Sequence, residues 1–559
     1  MKIQYRTATD VLIVGMGGAG VKAAITAAES GAKVLLVGKF PFGHTGATFY
    51  PGTPGWGMQA VIHEGDTEEF FLEEILDAGA GAADPELAEI LARGSTPAFR
   101  ELESYGIRFQ QYEDGRYKGV IPCFGKRLRG SSTLGIPTIR RILWQQLMTR
   151  GVTVRHGISV LALVKKDGAV VGALALDEQS ELFYIAAKAV IMATGGGCGI
   201  YTYSLATPDE TGDGYAMALD AGAALVNMEF IQFIPGLTWP LKKKLFQEKN
   251  LDTFPKFTNK NGEDVIRKYL PEQFTVEECL IERAKHGPFT TADISFFVDV
   301  GMYEEAMNGL ALPSGGIHVQ YDPKVLHDDR WTIVEWLKWM DSLGVKPVEE
   351  GFDMIPHAQC FNGGIAIDRT AGCGIPGLYA AGETAGGPHG ADRLGGAAIA
   401  ATQVFGKIAG ENAARYAAAA VHAEVSDREL EQTLEARFDH GDGIVDIGEA
   451  MEEIRKIMWE NGAVVRTHAR CAAGIARLEE LEKAFSPMRH LTEGADIRRA
   501  GELSSYLTLA RALLTVMDAR KESRGPHYRS DFPEKDPAFE GRIILKKDAA
   551  GFSTALKKA

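Results

Sequence analysis

Near the start of the chain, Gly15-Met16-Gly17-Gly18-Ala19-Gly20 carries the glycine spacing that binds a pyrophosphate. Gly15 permits a tight turn, Gly17 with Gly18 beside it lets backbone approach the phosphates, and Gly20 lets a helix pack closely on a strand. The neighbours make the signal specific. Val11–Val14 reads as a short buried strand and Val21–Ser30 as an alanine-rich helix, whose N-terminal N–H groups would face the phosphates. The second strand, Lys33–Val37, should end in an acid that holds a ribose hydroxyl. The sequence there is Gly38-Lys39-Phe40-Pro41-Phe42-Gly43-His44-Thr45, which has no carboxylate.

Further segments place polar groups among glycines. Ala193-Thr194-Gly195-Gly196 ends an apolar run, and Thr211-Gly212-Asp213-Gly214 opens a helical one, where Asp213 can accept from hydroxyls or cap the helix. Glu383 lies in Gly382-Glu383-Thr384, and Arg393 in Gly390-Ala391-Asp392-Arg393-Leu394-Gly395-Gly396.

These segments, with Glu522-Ser523-Arg524-Gly525-Pro526-His527-Tyr528-Arg529 near the end of the chain, resemble the flavoprotein subunits of succinate dehydrogenase and fumarate reductase. That family belongs to a superfamily of FAD-dependent oxidoreductases that includes L-aspartate oxidase. The resemblance implies an α/β fold: a Rossmann-like FAD-binding domain, an inserted α+β capping domain and a C-terminal helical bundle. It also implies FAD contacts at Gly15, Gly17, Gly18, Gly20, Lys39, His44, Thr45, Ala193, Thr194, Gly195, Gly196, Asp213, Glu383 and Arg393. His44 matches the histidine that relatives bond to the flavin 8α-methyl group; the other reading is a loop histidine beside noncovalent FAD.

In that family a hydride passes between flavin N5 and a substrate carbon. A cap arginine moves a proton, while two histidines and a second arginine grip the carboxylates. Arg393 matches the gripping arginine, the alternative being an ion pair with Asp392 or Glu383. The other positions depart. Ile234 stands where one histidine is expected and Gln359 where the second is, with His357 two residues away, on the same face of a regular strand. Glu277 or Glu278 aligns with the proton-moving arginine, and Arg283 matches a later arginine of that helix. An acid there would repel a second carboxylate. His389 is expected beside the isoalloxazine as a candidate acid or base. His318 and Tyr321 are further candidate proton donors in the cap.

The resulting expectation is an FAD-dependent enzyme that dehydrogenates or reduces a carboxylate-containing substrate other than succinate or fumarate. Arg393, His389, His357, Gln359 and Arg283 are its candidate catalytic residues. Alternatives are an L-aspartate oxidase-like or adenylylsulfate reductase-like flavoprotein, or a flavin-bearing electron-transfer subunit without its own substrate.

The domain boundaries are read as 1–235 and 356–420 for the FAD-binding domain, 236–355 for the cap and 421–559 for the helical domain. In the cap, Trp331, Trp336 and Trp339 lie on an amphipathic helix and read as packing residues. Composition limits the partners. With 60 basic and 74 acidic residues the net charge is −14, which argues against nucleic acid and anionic membranes. Six cysteines without CxxC spacing argue against an intrinsic iron-sulfur or other metal site, so electrons are expected to be exchanged with a separate iron-sulfur or other electron-transfer subunit. The opening residues lead directly into the first strand, leaving no room for a signal peptide, and no apolar run spans a membrane; the expected location is cytoplasmic. An oligomer is compatible with all of this.

Overall fold

The computed structural model describes residues 3–49, 55–493 and 497–558. The sequence predicts a long final helix from Asp496 to Lys521; its first residue lies outside them, as do Met1 and Lys2 of the opening segment.

A seven-stranded sheet organises the FAD-binding domain. Its order is Thr153–Arg155, Val34–Val37, Tyr5–Val14, Leu182–Met192, Ala169–Leu176 and Ser159–Lys166, with Leu378–Ala380 also on Leu182–Met192. The four strands nearest the glycine-rich turn are parallel, in registers such as Val11↔Val34 and Leu12↔Val190. Covered on both faces, these strands need continuous apolar runs rather than alternation, and Val11 to Val14 are all buried. The helix Gly18–Glu29 lies against Ala397–Ala419. Small residues allow a close approach: a Cβ on Gly410 would come within 2.6 Å of the Ala23 carbonyl oxygen.

The chain leaves this domain along Ile231–Trp239 and returns along Phe352–Phe361, which pair antiparallel as a two-stranded neck. These two are the central strands of a five-stranded sheet that the cap completes with Lys244–Leu245 beyond the first, and Ile317–Gln320 and then Lys256–Thr258 beyond the second. Trp336 from the helix Trp331–Ser342 is buried in the cap core, whereas Trp331 is exposed.

The helical domain packs Ile447–Gly462, His468–Ala484 and Ile497–Ala519 around Met458, Leu478, Leu514 and Met517. The tail is not helical throughout, because Arg542–Asp548 and Gly551–Lys557 form a hairpin that pairs with Leu225–Val226. The signature around Glu522 and Arg524 is a set of buried charges between domains. Arg520 pairs with Glu229 at 2.6 Å and Glu522 at 2.8 Å, and Arg524 pairs with Glu522 at 2.7 Å. Removing one partner from such a buried set costs about 3–5 kcal/mol, since the other charge is left uncompensated. Among the described residues no helix is long and apolar enough to cross a membrane.

Candidate active site

The strand Tyr5–Val14 delivers the glycine-rich turn to the carboxyl edge of the sheet. Gly15 has φ 111°, and a Cβ there would lie 2.1 Å from the Ala193 carbonyl oxygen. A Cβ on Gly20 would lie 1.9 Å from the Gly15 oxygen, so both positions exclude any side chain. Gly17 differs: its Cβ would meet only Thr48 Oγ1, at 3.7 Å. It caps the helix without a side-chain bond, and no acid stands in the first turn. This open, positively polarised helix end suits a pyrophosphate, and the residues present fit FAD.

Two adjoining cavities share this turn. The small one is lined by Gly38, Lys39, Thr45 and Asp213. Lys39 stands where the ribose acid was expected, and its ammonium pairs with Asp213 at 2.9 Å and Glu502 at 2.8 Å. Burial alone would lower its pKa, but the two carboxylates outweigh burial and hold it charged. A carboxylate therefore does reach this end, supplied by Asp213 from another segment. His44 is exposed and lines neither cavity, although Gly43 and Thr45 line the small one and Gly46 to Thr48 line the large one.

The large cavity measures about 710 Å³. Gly15, Gly17, Gly18, Ala193, Thr194, Gly195 and Glu383 line it at the sheet edge. Gly196 stands behind, where a Cβ would lie 2.2 Å from Glu383 Oε1. Burial pushes the Glu383 carboxyl up to about 7, opposed by the Phe361 N–H it accepts at 2.9 Å and by the Arg393 charge. Glu210, lining the same cavity, is raised by burial and by Glu383.

Gln359, Cys360, His389 and Arg393 line the cavity together. Arg393 forms no ion pair among the described residues. One terminal nitrogen donates to the Leu394 oxygen at 3.0 Å and the other reaches Cys360 Sγ at 3.8 Å, while Nε is buried without a partner. Neither Asp392 nor Glu383 takes it. Asp392 instead accepts the Thr290 hydroxyl at 2.7 Å, and burial pushes its carboxyl up to about 7. The Gln359 amide oxygen is likewise buried without a donor.

Two of the predicted catalytic residues are elsewhere. His357 is buried with Nδ1 donating to the Ile355 oxygen at 2.8 Å and its ring edge-on to Tyr203, and it does not line the cavity. The regular alternation that would put it beside Gln359 is broken by a bulge. Phe233 pairs with Ala358 and Gln232 with Cys360, leaving Gln359 as the extra residue, so Gln359 and Cys360 both turn to the cavity. Arg283 is fully buried inside the cap, bonded to Asp299 at 2.8 Å and to the Gly287 oxygen at 2.7 Å. Its guanidinium is spent on the fold of the cap. Glu277 and Glu278 are exposed, and Glu278 caps its own helix through Thr275, so neither acid faces the cavity. His318 pairs with Asp353 at 2.9 Å and Tyr321 bonds Asn250; neither lines the cavity. Ile234 packs toward Gly287 instead of lining it.

His389 is in place, but burial, reinforced by Arg393, pushes its pKa down to about 3. That favours the neutral imidazole, a hydrogen-bonding group, at ordinary pH. The cap's actual contribution is Lys243, Lys244, Leu245, Gln247 and Trp339. The signal for the lysines was the run Lys242-Lys243-Lys244 in an otherwise acidic chain. Trp339, read as packing, lines the site.

Asp392 makes stability pH-dependent. Its folded-state pKa of about 7 lies above the unfolded value of about 3.9, so its contribution is fully favourable below pH 4 and is lost as pH rises through 7. Thermal melts of Asp392→Asn should therefore lose less stability between pH 5 and pH 8 than melts of the parent. An equal loss in both would remove this assignment.

Known proteins share this fold. A family model described as an FAD binding domain matches residues 10–399, and one described as fumarate reductase flavoprotein C-term matches 451–551. A fumarate reductase (CoM/CoB) chain of Methanothermobacter marburgensis is 30% identical over 96% of this chain and 97% of its own length. The Escherichia coli fumarate reductase flavoprotein subunit is 30% identical over 97% and 92%. Among solved structures, Mycobacterium smegmatis Sdh1 in complex with UQ1 superposes with a TM-score of 0.84 at 25% identity, covering 99% of this chain and 95% of that one. An E. coli quinol fumarate reductase chain gives 0.80 at 27%, covering 100% and 97%. Fold, cofactor cradle and full-length similarity together place the chain in the family of FAD-dependent oxidoreductases that contains the fumarate reductase and succinate dehydrogenase flavoprotein subunits and L-aspartate oxidase.

Proposed function

We propose that this oxidoreductase transfers a hydride to or from a carbon next to a carboxylate held by Arg393, on a substrate larger than succinate or fumarate. The observation that carries the reading is the Arg393 guanidinium in the large cavity, without an acid partner and with a buried, unmatched Nε. A carboxylate bound there would supply that missing acceptor. When bound, FAD supplies the hydride acceptor or donor. The chain's own residues fix the substrate: Arg393 holds and polarises its carboxylate, and neutral His389 and the Gln359 amide set its orientation. The glycine-rich turn would hold the cofactor's central pyrophosphate, and Lys39–Asp213 would stand toward its adenosine end.

The two histidines expected to grip a short dicarboxylate are replaced by Ile234 and Gln359, and neither replacement restores a cation. Electrons are exchanged with a separate redox partner, as the name of the E. coli quinol fumarate reductase relative suggests.

Dye-linked assays with purified holoprotein test the substrate reading. A panel of saturated and α,β-unsaturated carboxylates should contain substrates at least about 10²-fold better in kcat/KM than succinate or fumarate, the scale of one lost transition-state donor. Succinate or fumarate as the best substrate would overturn it. We further infer that FAD is held noncovalently, because His44 is exposed outside both cavities. Acid precipitation should release the yellow colour into the supernatant, and colour retained by the protein but lost in His44→Ala would contradict this.

A further inference from the structure

The cap wall of the cavity carries two lysines with no assigned role. Lys243 and Lys244 both line it, and neither forms an ion pair among the described residues. Lys244 Nζ lies 5.7 Å from the centre of the Trp339 ring, which also lines the cavity. Lys243 has φ 56°, a left-handed conformation uncommon for a non-glycine residue, and its N–H is tied to the Leu237 oxygen at 3.1 Å. Such backbone is retained where surrounding structure enforces it, and it recurs at ligand clamps.

The charges around the lysines are arranged one way. The acids lining the cavity, Asp209, Glu210 and Glu383, all come from the FAD-binding domain, and none comes from the cap. Glu248, on the same loop as the lysines, is directed at Gly287, where a Cβ would meet its Oε2 at 3.1 Å. The acids expected to face the substrate, Glu277 and Glu278, lie on the exposed face of another helix. The repulsion that argued against a second anionic group is therefore absent, and two cations stand in its place.

We propose that Lys243 and Lys244 form a second anion subsite, so that the substrate carries a carboxylate on Arg393 and another anionic group on the cap, separated by an apolar body that lies against Trp339. This rests on the Arg393 reading and deepens it. The subsite does not recreate the succinate site, because its cations come from the loop after Trp239-Pro240 and not from the neck strands.

The test is a titration of oxidised holoprotein, read as flavin absorbance change at low ionic strength, with matched saturated monocarboxylates and α,ω-dicarboxylates of five to ten carbons. At one or more lengths the dicarboxylate should bind about tenfold tighter than its monocarboxylate, the scale of one charge-assisted hydrogen bond. The double variant Lys243→Ala/Lys244→Ala should erase that advantage and leave the monocarboxylate Kd within about twofold. Lys242→Ala, outside the lining, should keep it. No advantage at any length, or one that survives the double variant, overturns the subsite. Failure of the underlying reading looks different: monocarboxylate binding would then be indifferent to Arg393→Ala.

Discussion

Arg393→Ala is expected to bind FAD as the parent does and to lose about 10³-fold in kcat/KM with any carboxylate substrate. The guanidinium contributes in two ways. On the proposed reading it neutralises a carboxylate at the cavity wall, and it fixes that carboxylate through paired N–H donors, which a flexible chain cannot replace. Flavin retention follows because the cofactor's main supports are elsewhere, in the turn at Gly15–Gly20 and in the Lys39–Asp213 pair. Arg393→Lys should fall between the two, since it keeps the charge and loses the fork. The flavin spectrum and dye-linked turnover of the purified variants check both halves. Near-normal turnover in Arg393→Ala would remove the site assignment, and loss of flavin would make the residue structural.

Gly15→Ala is expected to yield protein without bound FAD. The new methyl would sit 2.1 Å from the Ala193 carbonyl oxygen, on a backbone with φ 111° that an L-residue resists. Strain and overpacking together cost roughly 2–5 kcal/mol, and the shift needed to relieve them spreads the two strand ends that form the cradle. Gly17→Ala is the informative control. Its methyl meets only Thr48 Oγ1, at 3.7 Å, so the apoprotein should fold and melt as the parent does while FAD binds more weakly. Flavin content after gel filtration, with thermal melts of the apoproteins, separates the outcomes. Full flavin in Gly15→Ala would show that the turn is not the pyrophosphate cradle.

The cofactor end was legible in the sequence because glycine leaves a signature when backbone must approach backbone. Gly15 and Gly20 are required by contacts of about 2 Å that no other residue permits, and the run of buried aliphatics before them has one use in a parallel sheet. Arg393, singled out by the resemblance of its motif to the family's, does line the cavity. The substrate end was otherwise not legible. Alternation puts His357 on one face with Gln359 only in a regular strand, and the bulge at Gln359 is set by pairing with Gln232 and Phe233, far away in sequence. Arg283 reads as available because nothing local announces Asp299 as its partner across the cap. Lys243, Lys244 and Trp339 were hidden for the opposite reason. They come from a surface-like lysine run and an amphipathic helix, and only the folding of the cap brings them together on the cavity wall. The terminal hairpin was missed because the helical pattern before it masks a change to strands that find their partner at Leu225–Val226.

In the proposed function a carboxylate on Arg393 places a carbon for hydride transfer, and the sharpest check of that role is anaerobic. Photoreduced holoprotein is mixed with α,β-unsaturated carboxylates in a stopped-flow instrument, and the return of oxidised-flavin absorbance is followed. At least one enoate larger than fumarate should reoxidise the flavin of the parent rapidly, and none should do so in Arg393→Ala. Reoxidation at equal rates in both proteins would show that Arg393 does not hold the reacting substrate.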